Sequence, residues 1–338
     1  MTHLLSTRQA KWFGLILGFA LLIVSFVFSI SFGQTPISFG TVIEAFLDFN
    51  PESTEHLIIT TSRLTRAVIA LVIGSSLAIA GALMQALTKN KLASPSIFGI
   101  NAGAIFFIVF SMSFFSVSSM EHYMWIAFLG ASTSTIMVYL LASLGRDALS
   151  PVRIVLSGAA ITALFVSLTQ GLLVINSQNL EGVLFWLAGS VAGRSMDMLQ
   201  PIVPYIIGAT IVAFFLARPI NILASGEDVA KGLGQNTTLI KLLSALVIIV
   251  LAGGSVAVGG AIGFIGLIIP HIARGLVGND HRWIIPYCAL LGASLLLIAD
   301  VSARFIIMPR EVPIGVMTAL IGTPFFIHIA RKGLFRNE

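Results

Sequence analysis

Charge is what this chain has least of. Only 10% of its 338 residues are Asp, Glu, Lys or Arg, against 57% hydrophobic. One or two soluble cores cannot hide that much apolar surface, so the composition excludes an ordinary water-soluble domain and calls for lipid. Cysteine is scarcer still: with Cys288 alone, neither an intrachain disulfide nor a cysteine metal cluster can form. No G-x-x-x-x-G-K-[ST] pattern occurs, so the chain has no phosphate-cradling loop of its own. The histidines at 3, 56, 122, 281 and 328 are scattered without zinc spacing. His271, after Pro270, has no second ligand at helical distance and reads as structural. No metal or other cofactor is expected.

What remains is a series of long apolar runs. A membrane helix needs about 20 mainly apolar residues, and about ten such runs occur, at roughly 12–32, 64–88, 97–117, 122–143, 152–175, 199–217, 239–260, 262–279, 284–306 and 314–331. The breaks near 33–62, 176–198 and 218–238 are too small for a catalytic domain. The first run follows Arg8 and Lys11, but it is longer than a signal core and no A-x-A-like site follows before Gln34, so it reads as a first span. The expected fold class is therefore an all-α integral membrane protein, a single transmembrane domain over 1–338. Two halves of five spans, about 1–190 and 191–338, would have opposite orientation, which permits an inverted repeat.

Ten spans put both termini on one side, and the positive-inside rule makes that side cytoplasmic. Of the 19 Lys and Arg, only Arg63, Arg66, Arg194, Arg304 and Arg310 then lie outside. The basic balance reports topology and an attraction to anionic lipid, with no argument for nucleic acid. Trp12, Trp125 and Trp283 fall at span ends, where indoles favour the interface. Gly74, Ala78 and Ala82 recur every four residues, as do Gly259 and Gly263, giving small-residue seams for close helix packing. Asp300 is an ionisable group within a span; Arg304 follows at i+4, so the acid is expected to orient that arginine.

The segment Ser225-Gly226-Glu227-Asp228-Val229-Ala230-Lys231-Gly232-Leu233-Gly234 reads as a short capped helix, about 225–234. Ser225 suits the N-cap with Asp228 at the capping-box position, Glu227 and Asp228 suit the positive end, and Gly232 or Gly234 can supply a left-handed stop. Val229, Ala230 and Leu233 give it an apolar side.

Several pieces now stand in a recognisable order: Arg63-Leu-Thr-Arg66; Gly81-Ala-Leu-Met-Gln85 with Asn90-Lys-Leu92-Ala-Ser-Pro95 and Gly99-Ile-Asn-Ala-Gly103; Gly226-Glu227 to Leu233-Gly234; Gly263-Phe-Ile-Gly266-Leu-Ile-Ile-Pro270-His271-Ile-Ala-Arg274; Val312-Pro313-Ile-Gly315 and Gly322-Thr-Pro324. Together they resemble the FecCD family, membrane subunits of ATP-binding-cassette (ABC) importers for iron-siderophores, haem and vitamin B12. The resemblance implies the type II ABC importer permease fold, with ten spans and a dimer, homo- or heteromeric, around a central pathway. It also implies two ATPase subunits inside and one substrate-binding protein outside. By similarity, Gly226, Glu227, Ala230, Leu233 and Gly234 belong to a coupling helix seated in the ATPase. Arg63, Arg66 and Arg304 match arginines that pair with glutamates of the binding protein. Asn90 and Leu92, with Ser150 and Pro151, match cytoplasmic gates. Lys91 stands where the family usually has Pro, and Pro151 lies within the gate loop, so gate detail departs from the pattern.

The expectation is a non-enzymatic permease subunit of an ABC importer in a bacterial cytoplasmic membrane, carrying a ferric siderophore by alternating access. Haem and cobalamin permeases share these motifs and stay open as alternatives. A secondary transporter would need an intramembrane charged coupling site beyond Asp300, and an intramembrane hydrolase would need a catalytic dyad at depth. The spans offer neither.

Overall fold

The computed structural model describes residues 4–115, 120–144, 151–175 and 186–334. Its long helices are α1 (Arg8–Ser31), α3 (Thr54–Leu87), α5 (Met120–Ser143), α6 (Pro151–Ile175), α7 (Val203–Ala224), α9 (Thr237–Gly259) and α11 (His281–Phe305). These seven are long and apolar enough to cross a membrane. Shorter pieces are α2 (Phe39–Leu47), α4 (Ile100–Phe114), α8 (Glu227–Gly232), α10 (Ile265–Val277) and α12 (Ile314–Leu334). Among the described residues there is no β-sheet, only one isolated bridge, Ile307 with Arg310.

All ten expected runs are helical, but α4 and α10 are short. Their 15 and 13 residues rise only about 20–22 Å, less than the roughly 30 Å of hydrocarbon. Irregular backbone completes each crossing: a turn at Pro95–Phe98 precedes α4, and residues 260–264 precede α10. Such backbone is tolerated at depth only where protein satisfies it. Before α4 the Ser134 hydroxyl donates to Phe98 O at 3.0 Å, and around the stretch before α10 the segment at 186–190 supplies the partners. Ala261 N donates to the Trp186 carbonyl at 2.9 Å, Ser190 N to Gly259 O at 2.9 Å and Gly315 N to Gly189 O at 3.1 Å.

Helix α3 is the centre of the bundle, with 78% of its apolar window buried, while α1, at 17%, is peripheral. Small residues let backbones close on α3. A Cβ on Gly74 would stand 2.4 Å from the Gly292 carbonyl of α11, and one on Gly81 would stand 2.0 Å from the Gly266 carbonyl of α10. The Gly74 and Ala78 seam is therefore packing. Gly263, by contrast, meets open space. At the N-terminal end of α1, Trp12 and Trp283 meet edge to face at 5.4 Å, with Lys11 Nζ 5.9 Å from the Trp283 ring. Both indoles stand in the first two turns of their spans, where such rings favour the interface.

Candidate functional site

At the opposite face, helix α3 opens with a π turn, Ile58–Arg63, a local feature frequent at functional sites. The turn delivers Arg63 towards α1 and Arg66, three residues on, towards α11. Helix α1 stops at Ser31, and a helix end leaves its last carbonyls without partners. Arg63 Nη1 donates to Ile30 O at 3.1 Å and Ser31 O at 2.7 Å, and its Nη2 to Thr35 O. Arg304 Nη1 donates to Ser29 O at 2.8 Å and Phe32 O at 2.7 Å. Two guanidinium groups thus cap α1, with charge of the favourable sign for a helix C-terminus.

Asp300, fully buried, sits between the remaining donors. Its Oδ1 accepts from Arg66 Nε at 2.7 Å and its Oδ2 from Arg304 Nη2. Arg66 Nη1 reaches Glu311 Oε2 at 2.6 Å. The expected orientation of Arg304 by Asp300 is present, and the same acid also holds Arg66. The three arginines do not form a row of free cations: Arg63 and Arg304 are buried, and Arg66 keeps only 12% of its side chain exposed. Arg310 is exposed, whereas Arg194 is half-buried over the Trp186 ring at 4.6 Å.

At the face nearer the Trp12 and Trp283 pair lies α8. It begins at Gly226, whose φ of +133° disfavours a side chain, and not at a Ser225 cap: the Ser225 hydroxyl turns back to Asn221 O at 3.4 Å. Gly234, at φ +79°, supplies the left-handed stop. The apolar side is divided. Ala230 is fully buried, whereas Val229 and Leu233 are 52% and 69% exposed. Glu227 faces inward, bound to Lys241 Nζ of α9 at 2.6 Å and to Lys231 at 3.3 Å, with Thr237 at 3.4 Å. The Lys241 hydrogen bond, helped by Lys231, holds its carboxyl down at about 2. Gln235 Nε2 ties the same loop to Pro219 O at 2.9 Å. Nearby, Asp280 caps α11 by accepting from Arg282 N at 3.0 Å and from Asn221 Nδ2 at 2.6 Å. Burial alone would raise that carboxyl, but Arg282 and Asn221 hold it at about 2.

Asn90 shapes the turn after α3, its Oδ1 accepting from Leu92 N at 2.9 Å, and leaves Leu92 exposed. Pro151 is the first residue of α6, and Ser150 lies outside the described residues. Pro270 has no N–H, so the Gly266 carbonyl four residues earlier loses its helical donor. Gln85 Nε2 supplies one, at 3.3 Å to Gly266 O and 3.3 Å to Leu267 O, and Arg274 donates to Gln85 Oε1. This explains why the Gly81–Gln85 piece and the Gly266–Arg274 piece occur together. His271 packs edge to face on Phe325 at 5.9 Å, and no group of three or more His, Cys, Asp or Glu suited to a metal occurs among the described residues.

The sequence model of the FecCD transport family matches residues 21–332. The chain belongs to this family. It is 54% identical over 325 residues to the probable siderophore transport system permease protein YfiZ of Bacillus subtilis, covering 96% of this chain and 97% of that one. It is 39% identical over 326 residues to the ferric enterobactin transport system permease protein FepD of Escherichia coli, covering 96% of each. A solved metal-chelate type ABC transporter in an inward-facing conformation superposes with a TM-score of 0.82 at 28% identity, covering 94% of this chain and 98% of that one. The chain is thus a multi-pass membrane permease of the FecCD type.

In this FecCD permease, the residues that sequence reasoning missed are partners. Glu311 for Arg66, Ser29 for Arg304 and Lys241 for Glu227 are tied to their mates across as many as 275 residues. No local pattern announces such pairs.

Proposed function

We propose that the chain is the permease subunit of an ABC importer that carries a ferric siderophore across a bacterial cytoplasmic membrane, with both termini inside. Two copies, or this chain and a paralogue, enclose the pathway. A separate ATPase pair works from inside, and a substrate-binding protein delivers the cargo outside. The substrate class rests on the full-length likeness to permeases named for siderophores. Coupling is carried by one observation: α8 presents Val229 and Leu233 outward from a seat fixed by buried Ala230 and the Glu227–Lys241 pair. Two exposed apolar residues on a braced helix suit a groove in a partner protein.

The binding protein docks on the face built by Arg63, Arg66 and Arg304. Arg66 is the reachable member of the three, and Arg63 and Arg304 hold the end of α1 behind it. Carboxylates on the binding protein pair with Arg66 by exchange with Glu311, as guanidinium–carboxylate geometry allows. Asn90 and Leu92, with Ser150 and Pro151, close the inner end of the pathway. The third helix of each half, α4 and α10, is short and interrupted, and matching interruptions of this kind support inverted halves at about 1–190 and 191–338.

The test is uptake of iron-loaded siderophore into proteoliposomes containing the permease, its ATPase and its binding protein. Uptake that requires ATP and all three components is expected. Uptake driven by an ion gradient without the ATPase would overturn the reading, and uptake of haem or cobalamin in place of the siderophore would move the substrate class.

A further inference from the structure

Asn221 stands in the last turn of α7, and only Ser225 and Gly226 separate that helix from α8. Its side chain crosses to the short turn, residues 278–280, that joins α10 to α11. Nδ2 donates to Asp280 Oδ1 at 2.6 Å, while Oδ1 lies 2.9 Å from His281 N and 2.8 Å from His281 Nδ1. The carboxylate fixes the amide: its NH2 must face the acceptor, so Oδ1 faces His281 and accepts both N–H groups. His281 therefore carries its proton on Nδ1. One amide thus ties the end of α7 to the start of α11 by three hydrogen bonds. Among the described residues, no other side chain of α7 hydrogen-bonds α11 or the turn before it.

Polar contacts continue on both sides of this tie. Towards α8, Gln235 Nε2 holds the loop after the helix to Pro219 O, and the Ser225 hydroxyl returns to Asn221 O. Towards the pathway, Arg274 in the last turn of α10 donates to Gln85 Oε1 in the last turn of α3. Asn90 follows and shapes the turn that carries Leu92. Packed apolar helices can slide past one another by small shear motions. Hydrogen bonds weaken steeply when misaligned, so an amide bonded to three groups couples the two helix ends where apolar packing alone would let them slip.

We propose that Asn221 is a positioning residue for transport: it makes the inner ends of α7 and α11 move together, so that displacement of α8 reaches the α10–α11 turn and, through Arg274 and Gln85, the Asn90–Leu92 turn. This rests on the reading of α8 as the ATPase contact. Capping of α11 does not by itself require Asn221, because Asp280 already accepts from Arg282 N at 3.0 Å. What the amide adds is the link to α7.

The test uses the complete importer, permease with ATPase and binding protein, in proteoliposomes and reads iron-siderophore uptake per ATP hydrolysed. Asn221→Asp replaces the donor facing Asp280 by an acceptor and sets two carboxylates against each other. Uptake per ATP should fall several-fold while the ATPase stays bound. Adding Asp280→Asn reverses donor and acceptor, restores the hydrogen bond and keeps a good N-cap, so the ratio should return most of the way to wild type. Asn221→Ser, uncharged and too short to hold both partners, should also lower the ratio, and it decides the matter should Asn221→Asp misfold. A merely structural clamp would lower the melting temperature and total uptake at an unchanged uptake per ATP, and that result would overturn the proposal. So would a wild-type ratio in either single variant, or a double variant no better than Asn221→Asp. A wild-type complex without ATP-dependent uptake, or normal uptake by Leu233→Asp, would remove the underlying reading and this proposal with it; the Asn221 variants remove the proposal alone.

Discussion

The two ends of the bundle carry charge in opposite ways. At the far face, Asp300, Arg304 and Arg66 are folded into the protein, and Arg63 is spent on the end of α1. At the near face, Glu227 and Lys241 stay partly exposed while the apolar Val229 and Leu233 project outward. In sequence the two sets are both short clusters of acids and bases, and charge alone does not rank them. Burial separates them. A buried pair is expensive to break because it strands the remaining charge, whereas an exposed pair contributes little and can be exchanged. The far end is therefore a fixed frame, and the near end is a braced platform whose contact surface is apolar.

The largest effect should come from breaking the frame. Asp300→Ala leaves two arginines facing each other without the acid between them, and removal of one partner of a buried pair typically costs about 3–5 kcal/mol. Thermal unfolding in detergent should show a marked loss of stability, with less protein reaching the membrane. A variant as stable as wild type would mean that the cluster is solvated and that the contrast with α8 is unfounded.

Leu233→Asp should change function with little change in stability, since the side chain is 69% exposed. ATPase association and uptake should fall while the melting temperature holds. Ala230→Asp is a poorer probe, because Ala230 is fully buried and its loss would unseat α8 itself. Normal uptake by Leu233→Asp would remove α8 from the coupling surface.

The smallest effect is expected at Lys241→Met. The pair it breaks is exposed at both ends, so the cost should be below about 1 kcal/mol, and the sensitive readout is the ratio of transport to ATP hydrolysis. If the pair braces α8, that ratio should fall, and the swap Glu227→Lys with Lys241→Glu should restore part of it. An unchanged ratio would leave the pair as mere decoration of the surface. The pH dependence has a definite sign. A carboxylate held at about 2, below its ordinary 4.5, contributes above the higher value and is lost as pH falls through the lower one. Coupling should therefore be insensitive to this group from neutral pH down to about 4.5.

The sequence by itself determined the class of this protein. Ten apolar runs and five motifs in order are local signals, and both survive folding: each run contains a helix and the family assignment holds over 21–332. The short helix read at about 225–234 was also legible, because acids in its first turn and a glycine stop are local chemistry, although it starts after Gly226 and not at a Ser225 cap. Hydropathy could not tell a full span from a half one, since the apolar irregular backbone before α4 and α10 reads the same as helix. Only the tertiary structure decided that Trp186 accepts from the irregular backbone before α10, that Gln85 replaces the donor missing at Pro270, and that Arg63 and Arg304 cap α1 instead of standing free. The physical reason is the same in each case. Periodicity and charge report what a residue prefers, whereas a buried donor or ion is satisfied by whatever the fold brings beside it, here from segments up to 275 residues away.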